Sequence, residues 1–143
     1  MLPQLINYDT EQNYCFPGKE RANEKDAYMD DIEAYVTRFV RKLGIRPNLK
    51  GYHLLIETIK LAIKKPILLS SLTKGLYPAI AEKYGKDVRF VERNIRRAVD
   101  SAYEYDPERI KSAFYYDVDK PYISEVISMG VEELRFRSGI SDQ

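Results

Sequence analysis

"AEKYGKDVRFVERNIRRAV", residues 81–99, decides how this chain folds and what it faces. Two helices that cross at a short turn make three demands on a sequence. The first helix needs a small side chain where the second meets it, and Ala81 supplies one. The turn needs a residue that accepts positive φ, and Gly85 supplies it four positions later. The second helix needs an apolar anchor to pack back, and Val91 supplies it six positions after the glycine. Asp87 can cap that second helix, expected from Val88 to about Tyr103. The spacing predicts a helix-turn-helix, although helical hairpins also reach it by accident.

The second helix carries more information than the spacing does. At about 100° per residue, Val88, Val91, Ile95, Ala98, Val99 and Ala102 share one arc of about 100°. Arg89, Arg93, Arg96 and Arg97 share another arc of similar width on the opposite side. A solvated helix face usually alternates its charges, because opposite charges at i, i+4 help the helix. Here Arg89 and Arg93 are like-charged neighbours at that spacing, as are Arg93 and Arg97. Each pair costs on the order of a few tenths of a kcal/mol, which a phosphate or base partner would offset. Arginine grips guanine edges and phosphates with two parallel hydrogen bonds. Glu92 repels a phosphate backbone, but it suits a cytosine amino group. The plainer alternative is a local pair between Glu92 and Arg96 at i, i+4.

The charge of the whole chain hides this face. The 143 residues sum to a net charge of +1. By segment the net is −2 over residues 1–43, +4 over 44–73, +4 over 74–97 and −5 over 98–143. A basic middle between acidic ends suits a surface that meets a polyanion, or else reflects clustering on solvated faces. The length suits one domain with its own hydrophobic core. The single Cys15 cannot form an internal disulfide, so a reducing, cytoplasmic setting is expected. The longest apolar runs span only a few residues, which excludes a transmembrane helix or a secretory signal and predicts no membrane partner.

The rest of the chain reads as helices. Residues 1–22 lack a period and are expected to be irregular. Asn23 is a candidate cap for a helix whose apolar face is Tyr28, Ile32, Tyr35, Val36, Phe39, Val40 and Leu43. Gly44 and Pro47 end it. A second helix is expected from about Leu49 to Lys64, with Tyr52, Leu55, Ile56, Ile59, Ala62 and Ile63 inward. Pro66 can open a short turn, and Ser70, Ser71 and Thr73 offer caps. Pro78 either kinks the next helix or stands in its first turn. Asp106, Pro107 and Glu108 restart a helix as cap, first position and first turn. The last helix is expected over about 124–137. The fold class is all-α, a compact bundle of six or seven short helices containing a helix-turn-helix.

At this point the residues resemble a known family. "LKGYHLL" (49–55), "SLTKGLYPAIAEKY" (71–84), "VERNIRRA" (91–98) and "KPYISEVISMGVEELR" (120–135) resemble the C-terminal DNA-binding domain of the stage-zero sporulation response regulators. The similarity covers roughly residues 32–137. It implies a six-helix domain that binds a short box in double-stranded promoter DNA, as a homodimer or as tandem head-to-tail copies. By position, the resemblance makes Glu92 and Arg93 base readers and carries Arg96 and Arg97 on towards phosphates. It also makes Lys74, in the "TK-x-LYP" match, and Ser124, in the "KP…SE" match, phosphate contacts; Lys86 is placed with them. Before "VER" the family typically has Ser-Arg, whereas this chain has Arg89-Phe90. Arg89 therefore moves the basic reader back one position, and Phe90 either touches a thymine methyl or packs on the protein.

The family's regulators also carry a receiver domain. Only some 31 residues precede the matching part here, with no alternating βα pattern, and the Asp30–Asp31 pair reads as a solvated helix face. The expectation is a receiver-less relative with a leader over 1–31, partly helical from about 24, and the helix-turn-helix domain over 32–143. The acidic, Tyr-rich leader is expected to serve self-association or another regulator. No catalytic constellation stands out: His53 is the only histidine, Cys15 has no histidine partner in sequence, and no Gly-rich phosphate loop is present. No enzyme activity, cofactor, metal or small-molecule substrate is expected. The rival class is a protein–protein interaction module, for example an antagonist of a full-length sporulation regulator.

Overall fold

A computed structural model of the chain describes residues 24–138, with side chains from 31 to 136. The expected Asn23 cap, the reading of residues 1–22, the Tyr28 and Asp30 side chains and Cys15 lie outside the described residues. The chain divides into two units, residues 1–31 and 32–143, and the buried core among the described residues belongs to the second. Among the described residues there is no strand, so the chain is all-α.

Helix α1, Glu24–Lys42, buries the apolar face that its period demands, from Ile32 to Leu43. The chain then turns at Gly44, whose φ of 92° is open to glycine at little cost. The terminal carbonyls of α1 are met from far along the chain. The Arg109 guanidinium donates to the carbonyls of Lys42, at 3.1 Å, and Arg41, at 3.3 Å.

Helix α2, Lys50–Lys64, is the central post, with Leu49 in the extended backbone of its N-cap position. It buries Tyr52, Leu55, Ile56, Ile59 and Ala62, as their spacing requires, and also Leu54 and Thr58. Leu54 and Thr58 depart from the single expected face because neighbours enclose α2 on several sides, while Ile63 is only half-buried. The Thr58 hydroxyl survives burial by donating to the Leu54 carbonyl at 2.7 Å.

A 3-10 turn over Pro66–Ser70 and a π-helical turn over Leu72–Leu76 lead into α3, Tyr77–Tyr84. Ser71 caps the π turn by accepting from the Lys74 amide at 3.2 Å. Pro78 stands in the first turn of α3, where its missing N–H breaks no helical bond. Helix α4 follows over Val88–Tyr105, then α5 over Pro107–Lys111, capped by Asp106. Helix α6, Ile123–Ser138, begins with the Glu125 carboxylate accepting from the Tyr122 amide at 2.9 Å. Its Val126, Ile127, Met129 and Val131 close the core around α2 and α4.

Candidate nucleic-acid interface

The turn between α3 and α4 is built as its residue types require. Gly85 adopts the left-handed conformation, φ 66° and ψ 34°. Its amide reaches the Glu82 carbonyl at 3.2 Å, and the Lys86 amide reaches that of Ala81 at 2.9 Å. These bonds satisfy the last carbonyls of α3 and stop the helix there. The Asp87 carboxylate then accepts from the Phe90 amide at 2.9 Å, satisfying a free donor in the first turn of α4. Ala81 is buried where the two helices meet, and Val91 is fully buried.

Helix α4 is two-faced. Val91, Ile95, Ala98, Val99 and Ala102 are buried against the body. Arg89, Arg93, Arg96 and Arg97 are all exposed on the far side. The apolar contacts thus fix the roll of the helix and present four guanidinium groups to solvent. Gly51 of α2 meets α4 at Asn94 and Ala98 on one flank, and α3 packs against α4 as well. Two flanks are thereby covered and the arginine face is left open.

Glu92 stands between the buried face and the arginines. Its carboxylate accepts from Arg96 Nη2 at 3.1 Å, so the local i, i+4 pair forms in the free protein. The Glu92 and Arg96 side chains keep 38% and 55% of their surface exposed, so the pair contributes at most about 1 kcal/mol and opens cheaply.

Phe90 is half-buried on the opposite flank. Lys86 Nζ lies 5.0 Å from its ring centroid and Lys50 Nζ lies 5.6 Å from it. The ring thus gathers two ammonium groups beside the N-terminal end of α4. Lys50 had no signal in the sequence. It starts α2, and only the close approach of α2 to α4 brings it to this edge.

The remaining sequence-derived residues are spread over other elements. Lys86 is exposed in the turn before α4, Lys74 is exposed in the π turn before α3, and Ser124 is exposed in the first turn of α6. A bridge of 2.8 Å between Lys120 and Asp100 ties the approach to α6 onto α4. His53 is exposed, with its Nε2 3.1 Å from the Pro47 carbonyl and its ring edge-on to Tyr52.

A second charged group links α1, α2 and α3. Glu57 of α2 meets Lys83 of α3 at 2.7 Å and Lys60 at 3.3 Å, and Lys60 reaches Glu33 of α1 at 2.8 Å. Burial alone would raise the Glu57 pKa, but Lys83 and Lys60 outweigh it and hold the carboxyl below its ordinary value. These pairs fasten α3 to the post on which α4 also rests.

A family model described as sporulation initiation factor Spo0A C terminal matches residues 36–134, from within α1 to near the end of α6. The chain belongs to this family. The family is one of DNA-binding regulators of sporulation transcription, not of enzymes. The matched stretch contains the turn at Gly85, all of α4, and Lys74, Lys86 and Ser124. Among the described residues no helix is long and apolar enough to cross a membrane, and no group of three or more His, Cys, Asp or Glu could hold a metal ion.

Proposed function

We propose that this chain is a cytoplasmic, sequence-specific transcriptional regulator related to sporulation initiation, with α4 as the recognition helix in the major groove of double-stranded DNA. One observation carries the reading: the buried face of α4 fixes its roll so that Arg89, Arg93, Arg96 and Arg97 stand exposed together. A groove-entering helix meets base edges with one face and phosphates at its margins.

Arg93 and Arg89 take guanine edges, and Glu92 takes a cytosine amino group once Arg96 lets go of it. Arg96 and Arg97 turn to phosphates further along α4. Phe90 meets a thymine methyl, with Lys86 beside its ring left for a phosphate. Lys74 and Ser124 hold the backbone from neighbouring elements, one amine and one hydroxyl. Two copies bind as a homodimer or head to tail in tandem, and the leader over 1–31 serves their association or that of another regulator.

Selection of bound duplexes from random DNA, followed by mobility-shift titration, tests the reading. The expected result is one enriched box whose affinity falls steeply with salt, because neutralised phosphates release counterions. Arg93→Ala should cost about 1–3 kcal/mol and relax the preference at one base pair. A variant that binds box and scrambled DNA as the parent does would remove Arg93 from the reading. Absence of DNA binding at low salt would favour the protein–protein interaction module instead.

A further inference from the structure

Lys42, Lys60, Lys83, Lys111 and Lys120 each meet a carboxylate. Lys50 and Lys86 differ: among the described residues neither ammonium enters an ion pair. Both side chains are exposed, and both gather on the Phe90 ring instead, with Nζ 5.6 Å and 5.0 Å from its centroid. Asp87, the acid beside them in the turn, is committed to the Phe90 amide at 2.9 Å.

The backbone sets this meeting. Gly51 lets α2 approach α4 at Asn94 and Ala98, so Lys50 starts α2 against that flank. The Asn94 side-chain amide donates to the Phe90 carbonyl at 2.8 Å, one turn back along α4. Lys86 arrives from the other direction, out of the turn that Gly85 makes. At about 100° per residue, Phe90 lies roughly 60° round α4 from Arg93. The two lysines therefore border the arginine face at the N-terminal end of α4.

An aromatic ring attracts cations through its quadrupole but carries no net charge. The two ammonium groups thus stay uncompensated, and they repel each other. Anions beside them relieve that repulsion. A lysine that grips a phosphate also loses rotamer freedom, and a ring that already holds the side chain removes part of the loss in advance. Lysine meets phosphate as a point charge, so position matters more than the angle of approach.

We propose that Lys50 joins Lys86 in a phosphate clamp for one strand of the duplex, with Phe90 as the positioning residue that holds both ammonium groups ready. The inference rests on the reading of α4 as the recognition helix, and it brings α2 into contact with DNA. The clamp acts on any sequence alike. A contact between the Phe90 ring and a thymine methyl would act at one base pair only, so the two roles separate on scrambled DNA.

The test titrates scrambled duplex at three salt concentrations with the parent, Lys50→Ala, Phe90→Leu, and Lys50→Ala in the Phe90→Leu and Phe90→Tyr backgrounds. Thermal melting confirms that each variant folds. Lys50→Ala should weaken binding by roughly threefold to tenfold at the lowest salt and lower the slope of log affinity against log salt by about 1. Leucine keeps the apolar bulk at position 90 but removes the ring, so Lys50→Ala should cost less than about twofold in that background. With tyrosine at position 90 the full cost should return. An unchanged salt slope in Lys50→Ala would overturn the clamp while leaving the recognition helix in place. An equal cost of Lys50→Ala with phenylalanine and with leucine would overturn the positioning role of the ring. A parent that binds no duplex at low salt would overturn the recognition-helix reading and the clamp with it.

Discussion

The backbone carbonyl of Asn94 fills the space that a Cβ on Gly51 would need, and the Ala98 methyl lies 2.7 Å from the same point. Helices α2 and α4 therefore meet backbone to backbone at this crossing, closer than any residue but glycine permits. The contact helps set the roll of α4, and with it the direction of the arginine face. Gly51→Ala should destabilise the domain by about 1–3 kcal/mol or more, because neither a carbonyl nor a buried methyl can move aside. Thermal unfolding measures this. An unchanged melting temperature would mean that α2 and α4 part without cost.

Gly85 presents the opposite case. No atom lies within 4 Å of a Cβ built there, so a side chain meets open space. Only the φ of 66° resists substitution. Gly85→Ala should cost about 1–2 kcal/mol, the penalty of the left-handed conformation, and Gly85→Asn should cost less. Asp87→Ala should cost about 1 kcal/mol more through loss of the cap on the Phe90 amide. Denaturant titration of the three variants separates the effects. If alanine and asparagine at position 85 behave alike, the penalty is not conformational.

The features that could be read from sequence are those carried by neighbours along the chain. Ala81, Gly85, Asp87 and Val91 act within a few residues of one another, so their spacing alone dictates a turn, a cap and an anchor. The burial of Val91, Ile95, Ala98, Val99 and Ala102 on one side of α4 follows from one helical period in the same way, while Val88, expected with them, is only half-buried at the start of the helix. What escaped was made by contacts between distant segments. Arg109 closes the end of α1 across 67 positions, and no local pattern marks it. Leu54 and Thr58 look like flank positions until α2 is found enclosed. Lys50 reaches Phe90 only because Gly51 lets two helices meet. For Glu92, both outcomes were legible and the free protein adopts the pair with Arg96.

The group centred on Glu57 gives the fold a pH signature. Its folded pKa lies below the ordinary carboxylate value of 4.5, because Lys83 and Lys60 outweigh the cost of burial. A carboxyl held low stabilises the fold above its unfolded pKa. That contribution is lost as pH falls through the folded value. Lys60 runs the other way: burial would lower its pKa, but Glu33 and Glu57 raise it above 10.5. Its contribution is complete below about pH 10.5 and fades as pH rises past it. Glu57→Gln should cost up to about 1 kcal/mol at pH 7, discounted for partial exposure. It should also flatten the fall in stability below about pH 4.5. Melting curves from pH 3 to pH 7 check this, and a variant with the parent's acid limb would show that Glu57 carries no linkage.

Lys86 and Arg93 should fail differently, although both are cations in or beside the same helix. Lys86 stands in the turn, held 5.0 Å from the Phe90 ring, and so lies at the margin of the arginine face. Arg93 stands within that face, with like charges a turn away on either side. A point charge at the margin neutralises a phosphate whatever the sequence beside it. Lys86→Ala should therefore weaken binding to the selected box and to scrambled DNA by the same factor. It should also lower the slope of log affinity against log salt by about 1. Arg93→Ala should leave scrambled DNA nearly untouched and lose affinity for the box. The ratio of box to scrambled affinity, measured at three salt concentrations, distinguishes the two variants. If Lys86→Ala changes that ratio, the ammonium reads sequence, and the margin of the face lies beyond the turn.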